Sequence, residues 1–491
     1  MDNSESSTHF KQSLSLFDAT MIVAGSMIGS GIFIVTANMG RQLGSPGYIL
    51  LEWIASAVIT LIAALSYGEL AGMMPKAGGQ YVYLKEAYNP FVGFLYGWTC
   101  FTVIQTGFIA AVGVAFAKFT AVFFPVLATS NIIIDAGFLK ISAGQLFAIA
   151  IIILITFINT RGIEYGKLVQ GIFTSTKLIA LAVLVVVGLY IAFNGHFIAD
   201  NFHNMWQASS VGDKGEVLQN SLSGMALLAV MGVAMVSPLF SSDAWNNVTF
   251  ISAEIKKPGR NIPLALLIGT LMVGVLYILT NITYLCILPL HGNPQGTDVM
   301  SHGIAFAKDD RVATAAVSVM LGNGAAYVMA ALIMVSTFGC NNGIVLSGAR
   351  LYYAMAKDKL FFRQAMKLNN KSVPAVSLVF QCIWASVLCL SGTYSELLDY
   401  ITIASLLFYA LTIFGIFILR KKQPNAERPY KVFAYPVLPA IYIIIALAIS
   451  IDLLIEIPRS TWPGIIIVII GIPFYFIMKR SQKSGEPESV K

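Results

Sequence analysis

Two short stretches carry residues that do not suit the apolar runs around them. The first reads Ala24-Gly25-Ser26-Met27-Ile28-Gly29-Ser30-Gly31-Ile32-Phe33, with Gly29 and Gly31 flanking a serine. A glycine in a helix interior costs about 1 kcal/mol relative to alanine, so this run loosens any helix that contains it. The second reads Pro238-Leu239-Phe240-Ser241-Ser242-Asp243-Ala244-Trp245-Asn246-Asn247. In lipid, such a polar run is tolerated only where it faces protein or a water-filled cavity. Loosened backbone has a chemistry of its own. Amides freed at the start of a half-helix can hold an anion, and carbonyls freed at the end of another can hold a cation. A zwitterion, with carboxylate and ammonium close together, matches such a pair of ends. For Gly29 and Gly31 alone, close helix packing is the competing reading; the matching interruption in the second stretch favours a site.

Isolated polar residues in other apolar runs add to this. Lys177 lies within Ser175-Thr176-Lys177-Leu178-Ile179-Ala180. A lysine at that depth costs about 2.5–3.5 kcal/mol on insertion scales and must face protein or a polar cavity, unless it snorkels to the interface. Ser336, Thr337 and Asn341 precede Arg350 in one long run. They either line a cavity or bond between helices, and Arg350 reads as a brace for a gate. Glu69 ends the second apolar run and calls for a basic partner, whereas Asp452 reads as structural. His9, His196, His203, His291 and His302 all fall in the leading tail or in loops. The five cysteines sit in apolar stretches with no zinc or redox spacing and read as small packing residues. There is no phosphate-binding loop, no HExxH helix and no Ser–His–Asp grouping, so an enzyme is not expected, nor a metal or cofactor.

The elements that position these residues follow from composition. Of 491 residues, 57% are apolar and only 11% charged, and mean hydropathy is +0.76. A soluble protein carries about a quarter charged residues, so this chain is expected to live in a bilayer. Apolar runs of about 20 residues span the hydrocarbon. Twelve are expected, at 14–38, 47–73, 90–124, 142–160, 168–193, 221–253, 262–290, 314–356, 373–391, 396–419, 431–457 and 460–478. The third and eighth are long enough to project beyond the bilayer. The two interrupted stretches open two five-span halves, which points to an inverted repeat. The expected organisation is a tail at 1–13, a first repeat at 14–193, a second at 221–419, two further spans at 431–478 and a tail at 479–491. Of the 31 Lys and Arg residues, 22 fall on one side of this arrangement, six on the other and three within spans. The positive-inside rule then places both termini in the cytoplasm. The net charge of +7 is explained by bases beside anionic lipid rather than by nucleic acid.

Four motifs carry a family resemblance. Gly29-Ser30-Gly31-Ile32-Phe33 resembles the first-helix signature of the amino acid–polyamine–organocation superfamily. Tyr67-Gly68-Glu69-Leu70 with Pro75-Lys76-Ala77-Gly78-Gly79-Gln80-Tyr81, Phe240 with Trp245-Asn246, and Lys256-Lys257-Pro258-Gly259-Arg260-Asn261-Ile262-Pro263 resemble its L-type amino acid transporter branch. The resemblance implies an all-α carrier of twelve transmembrane helices, five plus five by inverted repeat, with helices 1 and 6 broken. It implies that a substrate carboxylate meets Ser30 and Gly31 beside Gly29, and that an ammonium meets carbonyls of Met27, Ile28 and Phe240. It further makes Phe240 an extracellular gate, and Lys177 a stand-in for the sodium ion of coupled relatives. One position departs from the pattern. Asp243, beside Ser241 and Ser242, stands where the family commonly has glycine. Its carboxylate could cap the lower half-helix, attract a cationic substrate group or carry a proton.

The expected function is secondary active transport of amino acids across the cell membrane by alternating access. Small or medium neutral L-amino acids are expected, moved by proton symport or by exchange. Cationic amino acids or polyamines held by Asp243 are the alternative substrates, and an amino acid-permeable channel is the alternative class. The loop at 125–141 has no cysteine, where eukaryotic L-type light chains use one to bond a heavy chain. No disulfide-linked heavy chain is therefore expected, and substrate and lipid are the expected partners.

Overall fold

Within lipid only a helix or a closed barrel satisfies every backbone N–H and C=O, so long apolar runs must coil. In a computed structural model, which describes residues 12–135, 140–391 and 394–483, they do. Among the described residues, eleven helices are long and apolar enough to cross a membrane, beginning with Leu16–Ile34 and ending with Pro458–Arg480. The run expected as the ninth span forms a shorter apolar helix, Ala375–Ser391, of 17 residues. The chain is an all-α, multi-pass membrane protein. Residues 1–11 and 484–491, most of both expected tails, lie outside the described residues.

Polar residues at helix starts set the boundaries. Ser15 and Asp18 form a capping box before Leu16–Met27, and Ser142 with Gln145 does the same before Ala143–Thr160. Pro46 and Pro90 occupy first-turn positions behind Ser45 and Asn89 caps, where a missing N–H is harmless.

Some expected elements differ. The eighth span is not one helix from 314 to 356: Gly322, at φ 83° and ψ 170°, divides Val312–Leu321 from Asn323–Lys357. That backbone is natural to glycine and closed to helix. The third span ends as a helix at Thr120, because Pro125 follows and forces the chain out. The segment 74–88, between the second and third expected spans, contains the helix Gln80–Ala87. The segments around 132–142 and 208–222 form two small antiparallel hairpins.

Burial ranks the spans. The windows of Pro90–Thr120 and Leu16–Ile34 are 94% and 83% buried, against 28% for Val437–Glu456 and 22% for Pro458–Arg480. The last two helices are therefore an outer layer, and the loosened first span lies in the interior with Pro90–Thr120. The most extensive helix–helix contact joins Pro46–Met73 to Pro258–Ile287, and Pro258–Ile287 also packs against Leu16–Met27. One face of the bundle, the near face, carries Gln12 and the Pro75–Gly79 turn, and the opposite, far face carries the two hairpins.

Candidate functional site

The first span breaks where its glycines predict. Leu16–Met27 stops at Ile28, whose φ −75° and ψ 88° leave the helical region. The chain resumes as Gly31–Ile34 and runs through Val35 into Thr36–Leu43. Ending a helix in mid-bundle strands its last carbonyls, which must find donors elsewhere. Ala24 O keeps the Ile28 amide at 2.9 Å, but the Gly29 amide turns to Met27 O at 2.8 Å. The deserted Gly25 O is met by Lys177 Nζ at 2.5 Å. Ser26 O accepts from Cys340 Sγ at 3.0 Å. The Tyr277 hydroxyl lies 3.0 Å from Met27 O. Ile28 O takes Lys177 Nζ at 2.7 Å and Ser336 Oγ at 3.3 Å. Three other helices thus hold the broken end, and the lysine charge complements the negative pole of the helix dipole.

The sixth span breaks in parallel fashion. Val236–Ser241 ends at Ser242, and Asn247–Phe250 follows. Between them Ala244 takes φ 63°, a left-handed conformation that a non-glycine residue adopts only when its surroundings hold it there. Asp243 Oδ1 supplies that hold, accepting the Ala244 amide at 2.6 Å and the Tyr409 hydroxyl at 2.5 Å. The lower half-helix begins behind Asn246, without a side-chain cap bond. Asp243 therefore pins the unwound segment rather than capping the helix. Asn246 Nδ2 donates to Gln80 Oε1 at 3.1 Å, and Gln80 Nε2 donates to Thr412 Oγ1 at 3.0 Å. Gly79, at φ 43°, lets that turn approach: a Cβ there would lie 2.7 Å from the Thr249 carbonyl carbon.

The two breaks touch. A Cβ on Gly31 would overlap Ser241 Oγ and come within 3.0 Å of Ser241 Cα. Tyr277 bridges them, its hydroxyl lying 3.1 Å from Ser241 O as well. Ser242 Oγ is 3.3 Å from Ser56 Oγ of the second span. Met27, Ile28, Gly29, Ser30, Gly31, Phe240, Ser241, Ser242, Asp243, Lys177 and Ser336 all fall in this buried region. Thr337 bonds within its own helix, and Asn341 donates to Ile109 O at 3.1 Å.

The centre is shut on both sides. Phe240 stacks on Phe108 with centroids 4.9 Å apart. Beyond that pair a polar vestibule of about 720 Å³ opens on the far face, with Val35, Ser237 and Arg41 in its wall. On the near side, Arg350 Nε bonds Glu254 Oε1 at 2.9 Å in full burial, and Glu254 O accepts the Ser13 and Leu14 amides. Two voids flank Asp243, each with room for about one water molecule. Glu69 and Arg350 lie apart from the breaks. Glu69 receives Arg420 at 2.9 and 2.7 Å, the Val432 amide at 2.8 Å and Arg428 Nε at 3.3 Å. Among the described residues, no group of His, Cys, Asp or Glu is arranged to hold a metal ion.

The sequence assigns no role to Tyr277, Tyr409, Ser56 or Phe108, and holds Gln80 only as part of a motif. A lone tyrosine or serine in an apolar span reads as core, and its partner, a carbonyl for Tyr277 and a side chain for Tyr409 and Ser56, is distant in the chain and leaves no sequence signal.

The family profile described as amino acid permease matches residues 14–475. The chain belongs to the amino acid permease family. It is 29% identical to the b(0,+)-type amino acid transporter 1 of Rattus norvegicus, over 98% of this chain and 91% of the relative. It is 28% identical to the Asc-type amino acid transporter 1 of Mus musculus, over 95% and 81%. The large neutral amino acids transporter small subunit 2 of Mus musculus is 28% identical over the same shares. Amino acid transport is thus the function of this permease, and it is not an enzyme.

Proposed function

We propose that this permease carries small or medium neutral L-amino acids by alternating access, through proton symport or exchange. It does so with twelve spans in a five-plus-five inverted repeat and both termini in the cytoplasm. The observation that carries the reading is the abutment of the two breaks, Gly31 against Ser241. The substrate carboxylate meets the amides of Ser30 and Gly31 beside Gly29, at the positive start of the resumed helix. The ammonium meets carbonyls of Met27, Ile28 and Phe240, near Ser241 and Ser242. Because Lys177 Nζ already holds Ile28 O at 2.7 Å, like-charge repulsion directs the ammonium toward Met27 and Phe240. Phe240 closes the far side, Glu69 and Arg350 organise the near side, and Lys177 couples the fifth span to the first break. A self-sufficient carrier in a cell membrane, without a disulfide-linked heavy chain, completes the proposal.

Asp243 supports the second substrate class, cationic amino acids or polyamines, because it puts a carboxyl group in the break. Its Oδ1 already accepts two hydrogen bonds, which favours the neutral class. The test is radiolabelled amino acid uptake into proteoliposomes. A carrier gives saturation and, for exchange, stimulation by internal amino acid. Linear, non-saturating flux indicates a channel. Competition with unlabelled neutral and cationic amino acids decides between the substrate classes.

A further inference from the structure

One acidic side chain inside the bundle has no task in the account above. Glu52 stands in the second span, Pro46–Met73, among Leu50, Leu51, Trp53 and Ile54. It is 0% exposed, and among the described residues neither Oε1 nor Oε2 has a hydrogen-bond partner. The other buried acids are provided for: Glu69 by Arg420 and Arg428, Glu254 by Arg350, and Asp243 by Tyr409. An ionised carboxylate at Glu52 would stand in a low dielectric with neither donor nor counter-charge, whereas a proton on it removes that penalty. A lone ionisable residue within a span is where function is first sought.

Its position joins it to the breaks. Ser56, one helical turn on and on the same face, has its Oγ 3.3 Å from Ser242 Oγ in the sixth break. The adjacent Trp53 meets Tyr277 edge-on at 5.4 Å, and the Tyr277 hydroxyl reaches both Met27 O and Ser241 O. The helices packed on this span carry few titratable or charged groups in the same half. Among the residues whose side chains are described, they are Arg41 on Thr36–Leu43, Tyr277, Tyr284 and Cys286 on Pro258–Ile287, and Asp399, Tyr400 and Tyr409 on Tyr394–Lys422. Val437–Glu456 adds Tyr442, Asp452 and Glu456, and Gly224–Ala234 and Val236–Ser241 carry none. None of these bonds either Glu52 oxygen.

We propose that Glu52 is a proton-binding site that couples proton movement to transport. It holds a proton while the breaks are closed, and gives it to water when the first and sixth spans rearrange and admit solvent. The proton arrives from water on the far face and leaves to water on the near face, one with each amino acid. This rests on the carrier reading above and selects symport from its two modes.

The test uses the full-length protein in proteoliposomes loaded with a pH-sensitive dye. For the wild type, adding amino acid outside acidifies the lumen, and an inward proton gradient raises uptake several-fold. Glu52→Gln keeps the shape and removes the titration, so it retains saturable counterflow at symmetric pH but loses both the acidification and the gradient response. Equal gradient responses in the two proteins overturn the proposal, as does wild-type uptake without acidification. Glu52→Met gives a second uncharged replacement of similar length, should the glutamine variant not reach the membrane. Wild-type counterflow failing altogether would remove the carrier reading instead, so the two failures are distinguishable.

Discussion

Lys177 offers the sharpest perturbation, because its contribution can be worked from bonds. Its ammonium donates to Gly25 O at 2.5 Å and Ile28 O at 2.7 Å, with Ser336 O at 3.5 Å. Lys177→Met keeps the stem and deletes the charge. Ile28 O retains Ser336 Oγ at 3.3 Å, but Gly25 O has lost its helical donor, since the Gly29 amide turns to Met27 O. A stranded buried acceptor costs about 1–3 kcal/mol. Burying an unpaired ammonium is itself expensive, and deleting it recovers part of that penalty. The two effects oppose each other in folding but not in function, where the loss falls on the geometry of the first break. Taking about 1.4 kcal/mol per tenfold, uptake should fall by about 10–100-fold while the melting temperature moves by only a few degrees. Proteoliposome uptake and a thermal-shift curve on the same preparation measure both. Uptake within twofold of wild type would refute the reasoning. So would a loss of uptake explained by unfolding, since Lys177 would then be structural.

Other outcomes follow from the same geometry. Gly31→Ala places a methyl group against Ser241, and overpacking of about 1–3 kcal/mol should abolish uptake more fully than Gly171→Ala, where a Cβ meets nothing within 4 Å. Tyr277→Phe removes the hydroxyl shared by Met27 O and Ser241 O, and should reduce kcat/KM by about 10-fold at about 1–2 kcal/mol; an unchanged value removes Tyr277 from the scaffold. Glu254→Gln and Arg350→Gln should each destabilise by about 3–5 kcal/mol, and the double variant Glu254→Gln/Arg350→Gln by less than their sum; additive losses in thermal unfolding would deny the pair its coupling. Asp243→Asn keeps the size but weakens the hold on Ala244, and should shift substrate preference or the pH profile of uptake; a wild-type result in both confines Asp243 to supporting the backbone.

Much of the fold was legible because lipid leaves so few options. Runs of apolar length had to be helices, and Gly29-Ser30-Gly31 had to weaken one of them. The division at Gly322 was missed because both flanks are apolar, and a single glycine within a span usually reads as packing. Gln80–Ala87 was missed because its short pattern is too polar to stand out. Lys177 and Glu69 announced themselves as ionisable residues in apolar surroundings, and both proved to be bonded. Tyr277 and Tyr409 did not, since nothing in a sequence tells which carbonyl or carboxylate a hydroxyl will reach across 150 or more residues. Asp243 was visible as a departure, but its bond to the next amide is a matter of local φ and ψ.

The central claim is that two broken helices present their backbone poles to one zwitterion. The most direct measurement is a structure of the protein with a transported amino acid bound. The account predicts the carboxylate on the amides of Ser30 and Gly31, and the ammonium on the carbonyls of Met27 and Phe240. A bound amino acid in the far-face vestibule alone, or first and sixth spans closed into continuous helix around it, would contradict the account.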